Sequence, residues 1–125
     1  MCPQDTLARL SIAELLSHRS GLLNGSGGPL SFAFEPGQRW GYSGEGFVLL
    51  QSVIEAVTGM EFSDYFRKQV FAGLGMADSS LVWPEGAARL VSGTSVLGRT
   101  RQIRFLAPVA AASLYTTAAD YAKFM

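Results

Sequence analysis

The hydrophobic pattern is densest between Phe47 and Val57. Phe47, Leu50, Ile54 and Val57 recur there at spacings of three and four, as one face of a helix requires. Leu49, Val53 and Ala56 widen that face and leave Gln51, Ser52, Glu55 and Thr58 as a narrow polar stripe. A helix this apolar is expected to be buried on most sides. Ser43 can cap its start, because a serine hydroxyl accepts from the free N–H groups of a first turn. Gly59 supplies the stop. The tight reversal Pro36-Gly37 and the aromatic residues Trp40 and Tyr42 precede the helix, so a tyrosine stands at its N-terminal mouth.

Shorter helices flank it. Ser11-Ile-Ala-Glu14 reads as a capping box, followed by an apolar face of Ile12, Leu15 and Leu16. That helix runs out near His18-Arg-Ser-Gly21, with Gly21 as the expected terminator. From Gly21 to Gly41 the chain reads as one long loop. Its Phe32, Phe34 and Trp40 require burial, which favours a functional loop over a disordered one. Phe62, Tyr65, Phe66 and Val70 predict a second amphipathic helix with Arg67 and Lys68 facing water, ended by Gly73-Leu-Gly75-Met76. Leu81-Val-Trp83 is a short strand or an extended piece, stopped by Pro84, and residues 85–112 show no sustained period. Thr117-Ala-Ala-Asp120 opens a last helix in the manner of a capping box, Asp standing in for Glu. That helix carries Tyr121, Phe124 and Met125 and has no cap at its end, so the sequence reads as cut there. The class is mainly α with a few short strands.

Composition narrows the function. A chain of 125 residues is one domain or part of one. Lys plus Arg, 10, balance Asp plus Glu, 10, which argues against nucleic acid or an anionic membrane as the main partner. Arg99, Arg101 and Arg104 cluster without aromatic interleaving or a glycine-rich cradle, and read as a solvated loop. Cys2, the single cysteine, excludes an internal disulfide, and one Cys with one His makes no structural zinc site. No apolar run precedes Cys2 as a signal peptide would need, and no stretch is long enough for a membrane span. No cofactor is called for.

The residues alone hold no activated nucleophile. Gly41-Tyr-Ser43-Gly-Glu45 misses the nucleophile-elbow pattern because Glu45 stands where the last Gly must be. No Ser-x-x-Lys occurs. His18 is open to two readings, a general base or a histidine that ends a helix and bonds backbone, and the second is preferred. Ser20 reads as turn chemistry, Thr117 as an N-cap, Trp40 as core or pocket wall, and Glu45 as a carboxylate favoured by a helix N-terminus. Taken by itself, Tyr42 is a half-buried aromatic at a helix start.

Several segments nevertheless resemble one family. Ser11-Ile-Ala-Glu-Leu-Leu-Ser-His-Arg-Ser-Gly-Leu22 is similar to the "LLxHxSGL" segment of the serine β-lactamase-related superfamily, which includes class C β-lactamases, DD-peptidases, D-aminopeptidases and β-lactamase-like esterases. Phe34-Glu-Pro-Gly-Gln-Arg-Trp-Gly-Tyr-Ser-Gly44 resembles its "F-x-PG-x-x-W-x-Y-S-N" segment. Val57-Thr-Gly59, Val70-Phe-Ala-Gly-Leu-Gly-Met76 and Ala112-Ser-Leu-Tyr-Thr-Thr-Ala-Ala-Asp-Tyr-Ala-Lys-Phe124 resemble its "VTG", "IFxPLGM" and "AGGLxSTAxDxARF" stretches. The marks stand in family order and span residues 10 to 124.

The resemblance implies that residues 1–125 are a single partial domain, the helical middle of a β-lactamase/transpeptidase-like α/β fold whose α/β half is largely missing. It implies a parent serine hydrolase that forms an acyl-enzyme on esters, D-amino-acid peptides or β-lactams. The nucleophilic Ser-x-x-Lys would lie outside this chain, and the chain alone is expected to be inactive. Tyr42 falls on the family's catalytic tyrosine, whose phenolate helps deprotonate the serine; a phenol titrates near pH ~10, so this role needs neighbouring cations. Trp40, Ser43, Gly44 and Glu45 are the candidate site neighbours. Gly44 departs from the pattern: the usual Asn binds the catalytic lysine and a substrate amide carbonyl, and glycine can do neither, which shifts the reading toward esters or peptides. The alternative is a non-catalytic binding or assembly module on the same helical scaffold. The expected partner is a small-molecule or peptide substrate in the parent, and an apolar face left exposed would promote self-association. The parent's localisation is open, with the periplasm or secretion the candidates.

Overall fold

The computed structural model describes residues 4–25, 29–84, 90–98 and 100–125. The sequence readings of Cys2 and Arg99, and those of residues 85–89, lie outside them. The chain divides into two compact units, Met1–Gly59 with Ala110–Ala112, and Met60–Val109 with Ser113–Met125.

Among its described residues the first unit holds three helices, α1 (Gln4–Ala8), α2 (Ile12–Leu16) and α3 (Gly44–Thr58). α2 starts at the expected capping box: Ser11 Oγ accepts from Glu14 N–H at 3.2 Å, and Glu14 Oε2 accepts from Ser11 N–H at 2.9 Å. The Ser11 N–H, joined by the Ser11 hydroxyl donating to Glu14 Oε2 at 2.7 Å, holds the Glu14 carboxyl below its ordinary range. α2 does not end on Gly21. It ends in a Schellman closure, with the Arg19 N–H bonded to Glu14 O at 2.7 Å and His18 in the left-handed position at φ 55°. Gly21 serves a different purpose: at φ 75°, a Cβ there would lie 2.1 Å from the Phe34 carbonyl oxygen. The loop segment behind α2 and the segment at Phe34 can touch only because Gly21 is bare.

α3 spans the expected residues, with Ser43 capping the start and Gly59 at φ 65° closing the end. Its burial is narrower than the sequence pattern suggests. Gly46 and Leu50 are buried, while Ala56 is exposed and Val57 is 81% exposed. Leu50 joins Leu15 and Leu22 in a small core, against which Leu10, Leu30, Phe32, Phe47 and Leu49 pack. Ile12 and Leu16, expected on the buried face of α2, are exposed as well. At about 25 cal/mol per Å2, three aliphatic side chains are a modest core, so hydrogen bonds carry much of the specificity here. Gln51 contributes one, its Oε1 accepting from Ala110 N–H at 2.9 Å. The Leu22–Phe32 bridge closes the long loop, and Pro36-Gly37 forms the expected reversal, with Gly37 at φ 80°.

In the second unit α4 (Phe62–Phe66) runs into a π-helical turn, Arg67–Phe71, and on into α5 (Ala72–Leu74). This is the second amphipathic helix, with one wide turn that no sequence period announces. Phe62, Phe71, Met76 and Leu81 are buried, and Phe66 lies between Phe62 and Phe71 at ring-centroid distances of 4.6 and 6.0 Å. Gly75 ends the run at φ 66°. Leu81-Val-Trp83 is the extended piece: Trp83 N–H bonds Phe105 O at 2.7 Å, and Ser80 bridges to Tyr115. Arg104 lies over Trp83, 4.6 Å from its centroid, and stays exposed, in keeping with the solvated segment expected of it. Two-residue strands β1 (Gly93–Thr94) and β2 (Thr100–Arg101) pair antiparallel.

The last helix, α6 (Ala118–Phe124), is capped by Thr117, whose hydroxyl accepts from Asp120 N–H at 3.1 Å. Asp120 does not reach back as a capping box would. Its buried carboxylate, 2% exposed, accepts from Asp78 N–H at 2.8 Å and Ser79 Oγ at 2.9 Å, and pairs with Lys123 at 2.8 Å. Lys123 also bonds Gly75 O at 2.5 Å. The Lys123 bond holds the Asp120 carboxyl below its ordinary 3.8; burial opposes that shift, and the Ser79 and Asp78 donors add to it. A carboxylate whose folded pKa is depressed stabilises the fold above its unfolded value and loses that contribution as the pH falls through the folded one. The urea midpoint is therefore expected to drop on acidification below about pH 4, and Asp120→Asn is expected to flatten that drop; an unchanged acid limb in the variant would refute the assignment.

Candidate active site

A helix leaves the N–H groups of its first turn without intrahelical partners. At α3 they are met from two directions. Ser43 Oγ accepts from Gly46 N–H at 3.0 Å, the local cap. Asn24, in the loop behind α2, sends its Oδ1 to Gly44 N–H at 2.5 Å and to Glu45 N–H at 3.4 Å, while its Nδ2 donates to Tyr42 O at 3.3 Å. Glu45 Oε1 in turn accepts from Gly25 N–H at 3.1 Å, which suits a carboxylate on the positive end of a helix.

The other side of the mouth is held by the end of α2. Gly41 N–H donates to His18 O at 2.8 Å, and Ser43 N–H donates to His18 Nδ1 at 3.2 Å. The His18 ring lies 4.6 Å from the Tyr42 ring, 5.1 Å from Phe47 and 6.3 Å from Trp40. Arg19 N–H closes α2, its guanidinium bonds Gly37 O, and Gly37 N–H returns to Arg19 O at 2.8 Å. Residues 18–24 therefore bind the backbone at Gly37 and at each residue from Gly41 to Glu45.

Each sequence candidate has a place in this arrangement. Tyr42 stands ahead of the first turn of α3 with its side chain 58% exposed, more open than the half-buried aromatic expected from its pattern. Its main chain is fixed on both sides and its phenol faces outward. Trp40 is 66% exposed, so it is not a core residue of its unit. Ser43 is the buried cap, which commits its hydroxyl to Gly46. Gly44 has ordinary backbone torsions, and a Cβ there would meet Ala111 Cβ and Asn24 Oδ1 at 3.5 Å each, ordinary van der Waals contact. Ser20 is fully buried, its Oγ accepting from Leu22 N–H at 3.3 Å, the turn chemistry expected of it. His18 ends a helix and bonds backbone, as preferred.

Asn24 was not foreseen. Nothing in its local sequence distinguishes it from a loop asparagine; the one available signal was that α3 needed more acceptors than Ser43 could offer. An open groove on this unit, lined by Thr6, Phe32, Phe34, Glu35 and Arg39 among others, does not include Tyr42. Its charges are internally occupied: Arg39 lies over Phe34 at 4.4 Å and Glu35 pairs with Arg9 at 3.3 Å. Among the described residues no cluster of His, Cys, Asp and Glu could hold a metal ion, and no helix is long and apolar enough to cross a membrane.

Asn24→Ala is expected to lower the unfolding free energy by about 1 kcal/mol, the usual cost of a lost cap. Exchange of the Gly44 amide should accelerate by more than that global loss explains. Unchanged protection at Gly44 would contradict the second cap.

The family model described as Beta-lactamase matches residues 3–125. The chain is 40% identical over 50 residues to penicillin-binding protein 4* of Bacillus subtilis (strain 168), an alignment covering 40% of this chain and 11% of that protein. Among solved structures, a class C β-lactamase superposes with a TM-score of 0.82 at 20% identity, covering 95% of this chain and 38% of that one. The D-amino acid amidase of Ochrobactrum anthropi SV3 superposes with a TM-score of 0.77 at 27% identity, covering 94% of this chain and 41% of that one. The chain thus spans about two fifths of the length of these solved relatives.

Proposed function

Because this chain belongs to the Beta-lactamase family, a family of serine hydrolases, we propose that it is the helical middle of a catalytic domain in which Tyr42 transfers the proton during acyl transfer. The nucleophilic serine and its lysine are supplied by sequence outside residues 1–125, so the chain alone is inactive. The observation that carries this reading is the contrast at Tyr42: an outward phenol on a backbone bonded at Gly41, Tyr42, Ser43 and Gly44. A proton-transfer group needs that combination of access and fixed origin.

The reaction divides into two steps. The serine oxygen attacks the carbonyl while its proton passes to the Tyr42 phenolate, and that proton then goes to the leaving alcohol or amine as its bond to the acyl carbon breaks. Water next gives a proton to the Tyr42 phenolate oxygen as it attacks the acyl-serine ester, and that proton passes to the serine oxygen as its bond to the acyl carbon breaks, releasing the acid and restoring both the serine and the phenolate. Cations beside the phenol, from the segment that carries the nucleophile, keep it ionised near neutral pH.

The substrates are acyl compounds, with esters or D-amino-acid peptides preferred over β-lactams. Gly44 supports that preference: its backbone does not require glycine and its surroundings would accept a Cβ, so what is lost is an amide that would grip a substrate carbonyl. Within the second unit, Tyr121 and Phe124 on α6 are exposed and stacked at 6.0 Å. Such a face is a surface for the rest of the domain, and would drive self-association without it.

A fluorescent phosphonate or β-lactam probe is expected to label a polypeptide that carries the flanking reading frame and to leave residues 1–125 unlabelled. Tyr42→Phe in the longer polypeptide should slow labelling by ~10²-fold or more. Failure of the longer polypeptide to label would favour a binding or assembly module on this scaffold, and an unimpaired Tyr42→Phe would remove Tyr42 from the mechanism.

A further inference from the structure

His18 occupies the closing position of α2 at φ 55°, the left-handed conformation where glycine or asparagine is usual and other residues are strained. Strain of this kind persists where surrounding contacts hold it. Besides its N–H, which closes α2 on Leu15 O at 3.2 Å, the polar contacts of His18 converge on the segment around Tyr42. The His18 carbonyl takes the Gly41 N–H at 2.8 Å, and its Nδ1 takes the Ser43 N–H at 3.2 Å. These are the amides on either side of Tyr42. The ring itself lies against the phenol ring at 4.6 Å and a tilt of 35°, and Phe47 backs it at 5.1 Å.

A ring nitrogen that accepts a hydrogen bond carries no proton, so the neutral His18 ring bears its proton on Nε2. That tautomer has no lone pair to offer a substrate, because its accepting nitrogen already faces Ser43. We propose that His18 is a positioning residue for Tyr42, acting through its neutral Nε2–H form, and not a base in its own right. The claim deepens the reading of Tyr42 as the proton-transfer group and rests on it. A glycine at this turn would relieve the backbone but would supply neither the acceptor nor the ring. An asparagine would relieve it and retain an acceptor close to the place of Nδ1.

Two measurements test the claim. The first needs no substitution: nitrogen-15 spectra of the labelled chain should show Nδ1 unprotonated and Nε2 protonated. The reverse tautomer overturns the proposal. The second compares His18→Gly with His18→Asn, both suited to the left-handed backbone. In the labelled chain, the Ser43 amide proton should move upfield in His18→Gly and stay near its place in His18→Asn, while the Tyr42 ring signals shift in both. In the longer polypeptide, His18→Gly should reduce the acylation rate by ~10²-fold, as loss of about 1 Å of placement does, with KM little changed and partial recovery in His18→Asn. Equal rates in wild type and His18→Gly overturn the positioning role. A wild-type polypeptide that is not acylated defeats the hydrolase reading instead, and the Ser43 and Tyr42 signals still decide whether His18 holds Tyr42.

Discussion

The first unit depends on the need of α3 for acceptors at its N-terminus. A helix of 15 residues begins with amides that no turn of its own can satisfy, and Ser43 answers only one of them. Those of Gly44 and Glu45 bind Asn24, in the loop that follows α2, and the Ser43 N–H binds His18. That single requirement draws residues 18–25 onto residues 41–45 and gives the small Leu15, Leu22 and Leu50 core its geometry. It also explains why two residues with no catalytic chemistry, Asn24 and Gly21, matter to the position of Tyr42: one bonds its carbonyl, and the other allows the loop to meet Phe34.

The second unit solves a similar problem with charge. Its chain doubles back between the end of α5 and the start of α6, and Asp120 joins them through the main chain at Asp78 and the hydroxyl of Ser79. A buried carboxylate is costly unless its acceptor sites are filled and its charge is paired. Lys123 supplies the pair and ties Gly75 in the same stroke. In both units, short side chains that bond backbone fix loops that would otherwise have little apolar area to hold them.

What the sequence disclosed follows from this division. Caps were legible, because Ser11, Ser43 and Thr117 act within three residues of themselves, and so were the limits of α3. The place of Tyr42 at a helix mouth was legible for the same reason. The extent of burial was not: Val57 read as a core residue and Trp40 as core or pocket wall, yet each is exposed in a chain that spans about two fifths of its solved relatives. Asp120 was misread because its partners, Asp78 and Ser79, lie some forty positions away. Asn24 and the acceptor role of His18 were hidden likewise, being contacts across a loop that no local spacing records. The π-helical turn at Arg67–Phe71 keeps an ordinary amphipathic pattern and leaves no signature.

The central claim is that the fixed, outward phenol of Tyr42 meets the reacting serine. The most direct measurement is the crystal structure of the longer polypeptide trapped with a phosphonate on that serine. The account predicts the Tyr42 Oη within hydrogen-bond reach, about 2.6–3.2 Å, of the serine or phosphonate oxygen. A Tyr42 hydroxyl separated from both by more than about 6 Å, beyond even a bridging water, would contradict it.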